Sequence, residues 1–381
     1  MPAPLPSLSS IEPRSREWLL TNQDPGGGWS EHPGGRLSAL NTAEVVLALT
    51  GSGIQAGNAH IRKAVAFLYA ERPEVVAPDS GCWTRSVAVG PGRARDIPDL
   101  ARTCFVIRAL VSGGEDPHTS GVRSGIEWLA RRQNGDHGWG YQRGEASAIL
   151  PTCFALIALI RTADSTANNA WRDAIGWGLE YLTTACRNKS GSSGSGHLEA
   201  AHTVHLVLVL QAARESGFSV HPTAENDALA WLLRWPDKAM STVEEVIAID
   251  PQGQGNYGFL FAMDALLVLA LGRSLVPDHR KTRLWSDVQR SLYGRWDEGS
   301  GGLFGQRVTS WSTAAGLTAI ALTARELTHI PALPSEDPSG LKVGGFILFF
   351  AVVLVGALLY LSVEGFTILQ ASFLGFLMLA C

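Results

Sequence analysis

The stretch WLLTNQDPGGGW (residues 18–29) sets an aromatic–aliphatic pair, Trp18-Leu19, ahead of Gln23, Gly27 and Trp29. WLARRQNGDHGW (residues 128–139) repeats the spacing with Trp128-Leu129, Gln133 and Trp139, except that His137 stands where the first copy has glycine. Weaker echoes are Phe67-Leu68 with Gly81 and Trp83, and Trp296 with Gly301-Gly302. The pattern therefore recurs along residues 10–330, at a period typical of repeat architectures.

Each copy sits between two kinds of helix. Very apolar segments begin near Asn41, Arg102, Pro151, His202, Asp264 and Ser312. In their shared register Thr42, Thr103, Thr152, Thr203, Asp264 and Thr313 are equivalent, and the spacing predicts that these short oxygen side chains satisfy free amides at helix starts. An amphipathic segment precedes each one: RSREWLLTNQ, IRKAVAFLYAER, VRSGIEWLARRQ, WRDAIGWGLEYLTTA, ENDALAWLLRW and WSDVQRSLYGRW. A helix apolar all round must be enclosed, while an amphipathic one covers it from outside. Strict alternation of six such pairs predicts an all-α fold, a six-hairpin (α/α)6 barrel or toroid, with no strand-rich domain. An open superhelix would want polar terminal repeats.

The motif resembles the QW repeat of squalene and oxidosqualene cyclases, in the terpenoid cyclase and protein prenyltransferase β-subunit superfamily. That resemblance implies a structural role for Trp18, Gln23, Trp29, Trp128, Gln133 and Trp139 in tying helix ends together. It also allows the family's chemistry to be tested. Class II cyclases use the middle Asp of a D-x-D-D-T run, two residues before the aligned Thr, as the proton donor. Those places hold Leu40, Ala101, Leu150, Ala201, Ala262 and Trp311, none of them an acid. Asp99 matches only the first Asp of that run. In prenyltransferases an Asp-x-Cys pair and a later His hold zinc; here Arg102 and Pro151 replace the Asp before Cys104 and Cys153, and Ser312 and Ala314 replace both ligands in the sixth repeat. Cys104, Cys153, His202 and His205 are weak metal candidates only, and no cofactor is expected. The thioester run of complement-type toroids is absent, since Gly81-Cys82 continues as Trp83-Thr84.

Composition bounds the rest. In 381 residues, 46% are hydrophobic and 17% charged, with a net charge of −4, which excludes a disordered chain and argues against nucleic acid as a partner. The five cysteines form no C-x-x-C pair, so a reducing compartment is expected. Residues 1–330 form the expected toroid and 331–342 a linker; 343–381 are one or two membrane segments. Val343–Val363 carries no charge and would span about 31 Å as a helix; residues 366–381 would span about 24 Å, short for a crossing. The N-terminus lacks the apolar core of a signal peptide. The expected location is the cell membrane, with the toroid on the cytoplasmic side and a C-terminal anchor.

Polar residues gather near the starts of the inner helices: Asp96, Asp99, Arg102, Glu199, His202, His205 and Asp264 are the candidate ligand mouth. Asp99 and Glu199 are weak catalytic candidates, and each could equally cap a helix or pair with an arginine. The long connection 237–256 is a candidate lid or surface decoration. Three functional readings stand. One is a membrane-tethered toroid that binds an isoprenoid-like lipid or a protein segment without the usual cyclase or prenyltransferase chemistry. The others are a polyprenyl-processing enzyme with a rearranged acid, and a membrane-disrupting effector with a toroid sensor.

Overall fold

The computed structural model describes residues 8–73, 79–90, 93–163, 169–188, 196–221, 223–234, 242–248, 256–272, 292, 294–297, 299–302 and 309–324. The chain divides into two compact units, Met1–Leu327 and Thr328–Cys381. The second unit, with the expected linker and both apolar membrane segments, lies outside the described residues, as does most of the sixth amphipathic segment. Among the described residues no helix is long and apolar enough to cross a membrane.

The first unit is mostly helical. Its helices are α1 (Leu8–Thr21), α2 (Ala39–Gly51), α3 (Ala59–Ala70), α4 (Leu100–Ser112), α5 (Ser120–Arg131), α6 (Ile149–Thr162), α7 (Asn169–Asn188), α8 (Gly196–Glu215), α9 (Ala224–Arg234), α10 (Met263–Gly272) and α11 (Ser310–Ala324). The apolar segments form a closed ring: α2 packs on α4, α4 on α6, α6 on α8, α8 on α10, α10 on α11, and α11 returns to α2. The amphipathic helices lie against that ring, α1 on α11, α3 on α2 and α4, α5 on α4 and α6, α7 on α6, and α9 on α8. In α5 the split between faces is plain: Val122, Ile126, Trp128 and Leu129 are buried, while Arg123 and Glu127 pair on the solvent side at 2.9 Å. The ring seam is closed by Ser310, whose Oγ donates to the Ser30 carbonyl at 2.6 Å and whose amide donates to the Glu31 carbonyl at 3.0 Å.

Two β-hairpins interrupt the helical pattern. β1 (Thr84–Gly90) pairs antiparallel with β2 (Arg93–Pro98), and β3 (Thr242–Ala248) with β4 (Asn256–Ala262). Both lead directly into inner helices, α4 and α10. The connection expected to be a lid or surface decoration thus contributes the second hairpin, with β4 running into α10.

The bonds of the repeat motif show why the ring holds. The indole N–H of Trp29 donates to the Leu19 carbonyl at 2.7 Å, and that of Trp139 to the Leu129 carbonyl at 2.8 Å. Trp83, in the weaker echo, does the same to Leu68 at 2.8 Å. In each case the acceptor is the aliphatic member of the aromatic–aliphatic pair, at the end of the outer helix. The amides of the same three tryptophans donate to Thr42, Thr103 and Thr152 Oγ1, all at 2.9 Å. Each Trp therefore fastens an outer helix to the next inner one. This corrects the expected role of the threonines. They lie inside the first helical turn and receive an amide from the incoming loop, whereas the cap positions fall four residues earlier, at Ser38 and Asp99.

Gln23 donates to the Gly27 carbonyl at 2.8 Å and to the His60 carbonyl at the start of α3 at 2.9 Å. Gln133 likewise bonds the His137 and Ala174 carbonyls at 2.9 and 3.0 Å. In the second repeat Arg72 takes the glutamine's place, reaching the Gly121 carbonyl of α5 at 3.1 Å and stacking 5.2 Å over the Trp83 ring. Gly27 and Gly81 adopt positive φ, and a Cβ on either would lie 2.4 or 2.3 Å from a backbone carbonyl oxygen of the next outer helix. His137 holds the equivalent place at φ 69° and packs 5.2 Å from the Trp177 ring of α7.

Candidate functional site: the interior of the ring

The inner helices all run in the same direction, so one register position on each forms a layer around the ring. Two residues beyond the aligned Thr lie Glu44, Phe105, Phe154, His205, Leu266 and Ala315. Three residues further, about 4.5 Å along the axis, lie Leu47, Arg108, Ile157, Leu208, Leu269 and Thr318. In α2, α4, α10 and α11 these positions are half-buried while most of their helical neighbours are buried. Outer helices cover the other faces of the ring, so that exposure belongs to its interior. Aromatic contacts run along the first layer: Phe105 meets Phe154 edge-on at 5.6 Å, and Phe154 meets His205 at 5.4 Å. His205 Nδ1 bonds the Ala201 carbonyl at 2.8 Å, which assigns the proton to that nitrogen.

Two charged groups stand in this apolar wall. The Oε2 atom of Glu44 is buried and meets no hydrogen-bond partner. Burial raises the Glu44 carboxyl to about 8; Arg108 pulls it down and Glu31 adds a small push upward. Arg108 is lowered to about 10, first by burial and then by the charge of Arg161, and so stays cationic at neutral pH. Its guanidinium lies 5.2 Å over the Phe105 ring, with no hydrogen bond or ion pair among the described residues. Arg161, by contrast, is paired with Glu215 at 3.0 Å. The interior thus holds a carboxyl that is largely protonated at neutral pH and an uncompensated cation, both without the partners that buried polar groups normally find.

The residues expected at the mouth are placed differently. Asp99 is buried, caps α4 by accepting from the Arg102 amide at 3.0 Å, and pairs with Arg85 Nε at 2.7 Å. Arg102 donates to the Thr84 carbonyl at 2.7 Å. Asp264 is buried and grips Arg295 through both oxygens. Asp96 lies exposed in β2 opposite Ser86. Glu199, expected at the same place as Asp99, is instead inside the first turn of α8, half-buried, because α8 starts at Gly196; His202 is half-buried one turn on. Several of these side chains are therefore taken up by partners of their own. Cys104 and Cys153 are buried, and burial pushes the Cys104 thiol far up. Among the described residues no three His, Cys, Asp or Glu side chains are placed to hold a metal ion. Glu44 and Arg108 escaped the sequence reading, although a charge inside an apolar helix, the single one of α2 and the second of α4, was the available signal.

No family model matches the chain. A drimenyl diphosphate synthase from Streptantibioticus cattleyicolor is 28% identical over 191 residues, which is 46% of this chain and 31% of that protein, so the match covers less than a third of the relative's length. A type II terpene cyclase from Scytonema, solved with geranylgeranyl dihydroxybenzoate, superposes with a TM-score of 0.53 at 14% identity, covering 84% of this chain and 98% of the other. The cellobiose 2-epimerase of Spirochaeta thermophila superposes with a TM-score of 0.58 at 16% identity, covering 86% and 99%. Both solved structures share the architecture at identities that speak to fold alone. The chain has a mostly helical fold shared with the type II terpene cyclases.

Proposed function

We propose that the interior of the ring binds an isoprenoid-like, predominantly apolar chain, and that the apolar segments within 343–381 hold the protein at the cytoplasmic face of a membrane. One observation carries the ligand reading: the two layers around Glu44 and Arg108 are otherwise almost entirely aromatic and aliphatic. A sugar, the substrate class of the epimerase that shares the fold, offers a hydroxyl on nearly every carbon and needs a matching density of polar groups. This wall supplies few. A branched hydrocarbon chain suits Phe105, Phe154, Ile157, Leu266 and Leu269. The match to drimenyl diphosphate synthase supports the same chemical class.

A second reading, a terpenoid-processing enzyme with a rearranged acid, is favoured by Glu44 rather than by Asp99 or Glu199. Its carboxyl holds a proton near pH 7 and its Oε2 has no competing partner, whereas Asp99 is engaged through both oxygens. Extraction of the full chain in mild detergent, followed by mass spectrometry of what it retains, tests the ligand reading. A retained polyprenyl or terpenoid species is expected; a retained sugar, or an apolar chain left intact by blocking the interior, contradicts it. Removal of residues 341–381 should move the protein from the membrane to the soluble fraction, and continued pelleting with membranes contradicts the tether.

A further inference from the structure

We infer that the interior selects an apolar chain bearing a single negatively charged oxyacid group, a carboxylate or a phosphate, seated between Arg108 and Glu44. This rests on the isoprenoid reading of the same interior and adds the chemistry of the ligand's head.

The argument is one of unmet bonds and charge balance. Arg108 projects from α4 with five N–H donors and no acceptor among the described residues. Half-withdrawn from water over an aromatic ring and paired with no anion, the guanidinium favours one, and a planar oxyacid is the group its fork geometry fits. On the neighbouring inner helix α2, Glu44 carries an enclosed Oε2 without a partner. A protonated carboxyl there can donate one hydrogen bond to the same ligand oxygen. Arg161 is already neutralised by Glu215, and Glu31 lies mostly exposed, where solvent screens it. The balance in the interior is one uncompensated positive charge. The one negative charge of a carboxylate closes it and the roughly 1.5 to 2 of a phosphate monoester at pH 7 more than close it, while a neutral head would leave Arg108 unpaired. Phe105, under the guanidinium, and Phe154 beside it continue the wall for the chain. The assignment also separates the roles of the two groups: Arg108 sets the charge of the head, and Glu44 adds a donor that any neutral hydrogen-bonding side chain can replace.

The test measures binding of farnesoic acid, farnesyl monophosphate and farnesol to the full chain in detergent at pH 7. All three share the chain and differ in the head. The wild type should bind the acid, the monophosphate or both at least ten-fold tighter than the alcohol, and the better of the two identifies the oxyacid. Arg108→Met should bring that ligand to the level of farnesol while leaving farnesol unchanged. It should unfold no earlier than the wild type, because it removes an unpaired charge; Arg108→Gln serves as a second variant. Glu44→Leu should weaken the anionic ligand about three- to ten-fold, and Glu44→Gln should restore it. Equal binding of acid, monophosphate and alcohol by the wild type overturns the inference and leaves the isoprenoid reading standing, as does a preference that survives both Arg108 variants. Failure of all three ligands to bind overturns the isoprenoid reading itself, and this inference with it.

Discussion

The rim of the ring and its interior use polar groups in opposite ways. At the rim Trp29, Trp83 and Trp139 each spend both of their N–H donors on fixed acceptors, and Gln23, Gln133 and Arg72 each tie an outer helix to the start of the next. In the interior, Glu44 Oε2 and the Arg108 guanidinium are left without hydrogen-bond partners, in a wall that could have been wholly apolar. A satisfied network holds a fold. An unsatisfied one costs stability, and a structure that keeps it is one in which something else completes the bonds.

The contrast breaks first at the rim. Trp139→Ala removes a fully buried indole together with its hydrogen bond to the Leu129 carbonyl, so thermal or denaturant unfolding should show a loss of about 3–5 kcal/mol. A loss below about 1 kcal/mol would mean that the motif is not what holds the helices together. In the interior the sign reverses. The folded carboxyl of Glu44, at about 8, lies above its ordinary value of 4.5, so the folded state holds this proton more tightly than the unfolded chain does. Stability from this group is complete below about pH 4.5 and is lost as pH rises through 8. Glu44→Gln should remove that slope and be the more stable protein at pH 9, by on the order of 2 kcal/mol on a half-buried side chain. Identical pH profiles for variant and wild type would show that Glu44 is not enclosed.

The smallest effects separate two equivalent positions on the rim. At Gly27 a Cβ would strike the Lys63 carbonyl oxygen at 2.4 Å in a left-handed conformation, and Gly27→Ala should cost roughly 2 kcal/mol. His137 occupies the same place with a side chain, eased by its packing on Trp177. There His137→Gly should stabilise by up to about 1 kcal/mol, as measured by unfolding midpoints. Destabilisation by His137→Gly would mean that the imidazole–indole contact outweighs the backbone strain.

Much of this was legible in the residues. The alternation of apolar and amphipathic segments predicted the ring of inner helices and its outer layer, because enclosure is written into hydrophobic periodicity. The Trp and Gln spacing predicted the ties at the rim. Arg72 was not legible, since nothing local says that a guanidinium will reach the carbonyl a glutamine reaches elsewhere. The strands were hidden for a related reason: Thr84–Pro98 is short, rich in arginine and glycine, and pairs only with itself. Glu44 and Arg108 were not legible because the family's motif points two residues before each Thr, whereas the interior-facing positions lie two and five residues after it. Only the facing of the helices within the closed ring distinguishes the two. Asp99 and Asp264 stand near helix starts, where the sequence allows either a ligand mouth or an arginine pair, and each is buried with an arginine partner, Arg85 and Arg295.

The central claim, that the interior of the ring is the ligand site, can be tested at Ala315. This small residue lies in the same layer as Glu44, Phe105 and Phe154, half-buried on α11 and remote in sequence from the motif tryptophans. Ala315→Trp should fill the interior without touching the bonds of the rim. Affinity for a farnesyl-chain ligand should fall at least ten-fold while the unfolding temperature and helical signal stay close to wild type. Undiminished binding by a folded Ala315→Trp protein would contradict the account and place the ligand outside the ring.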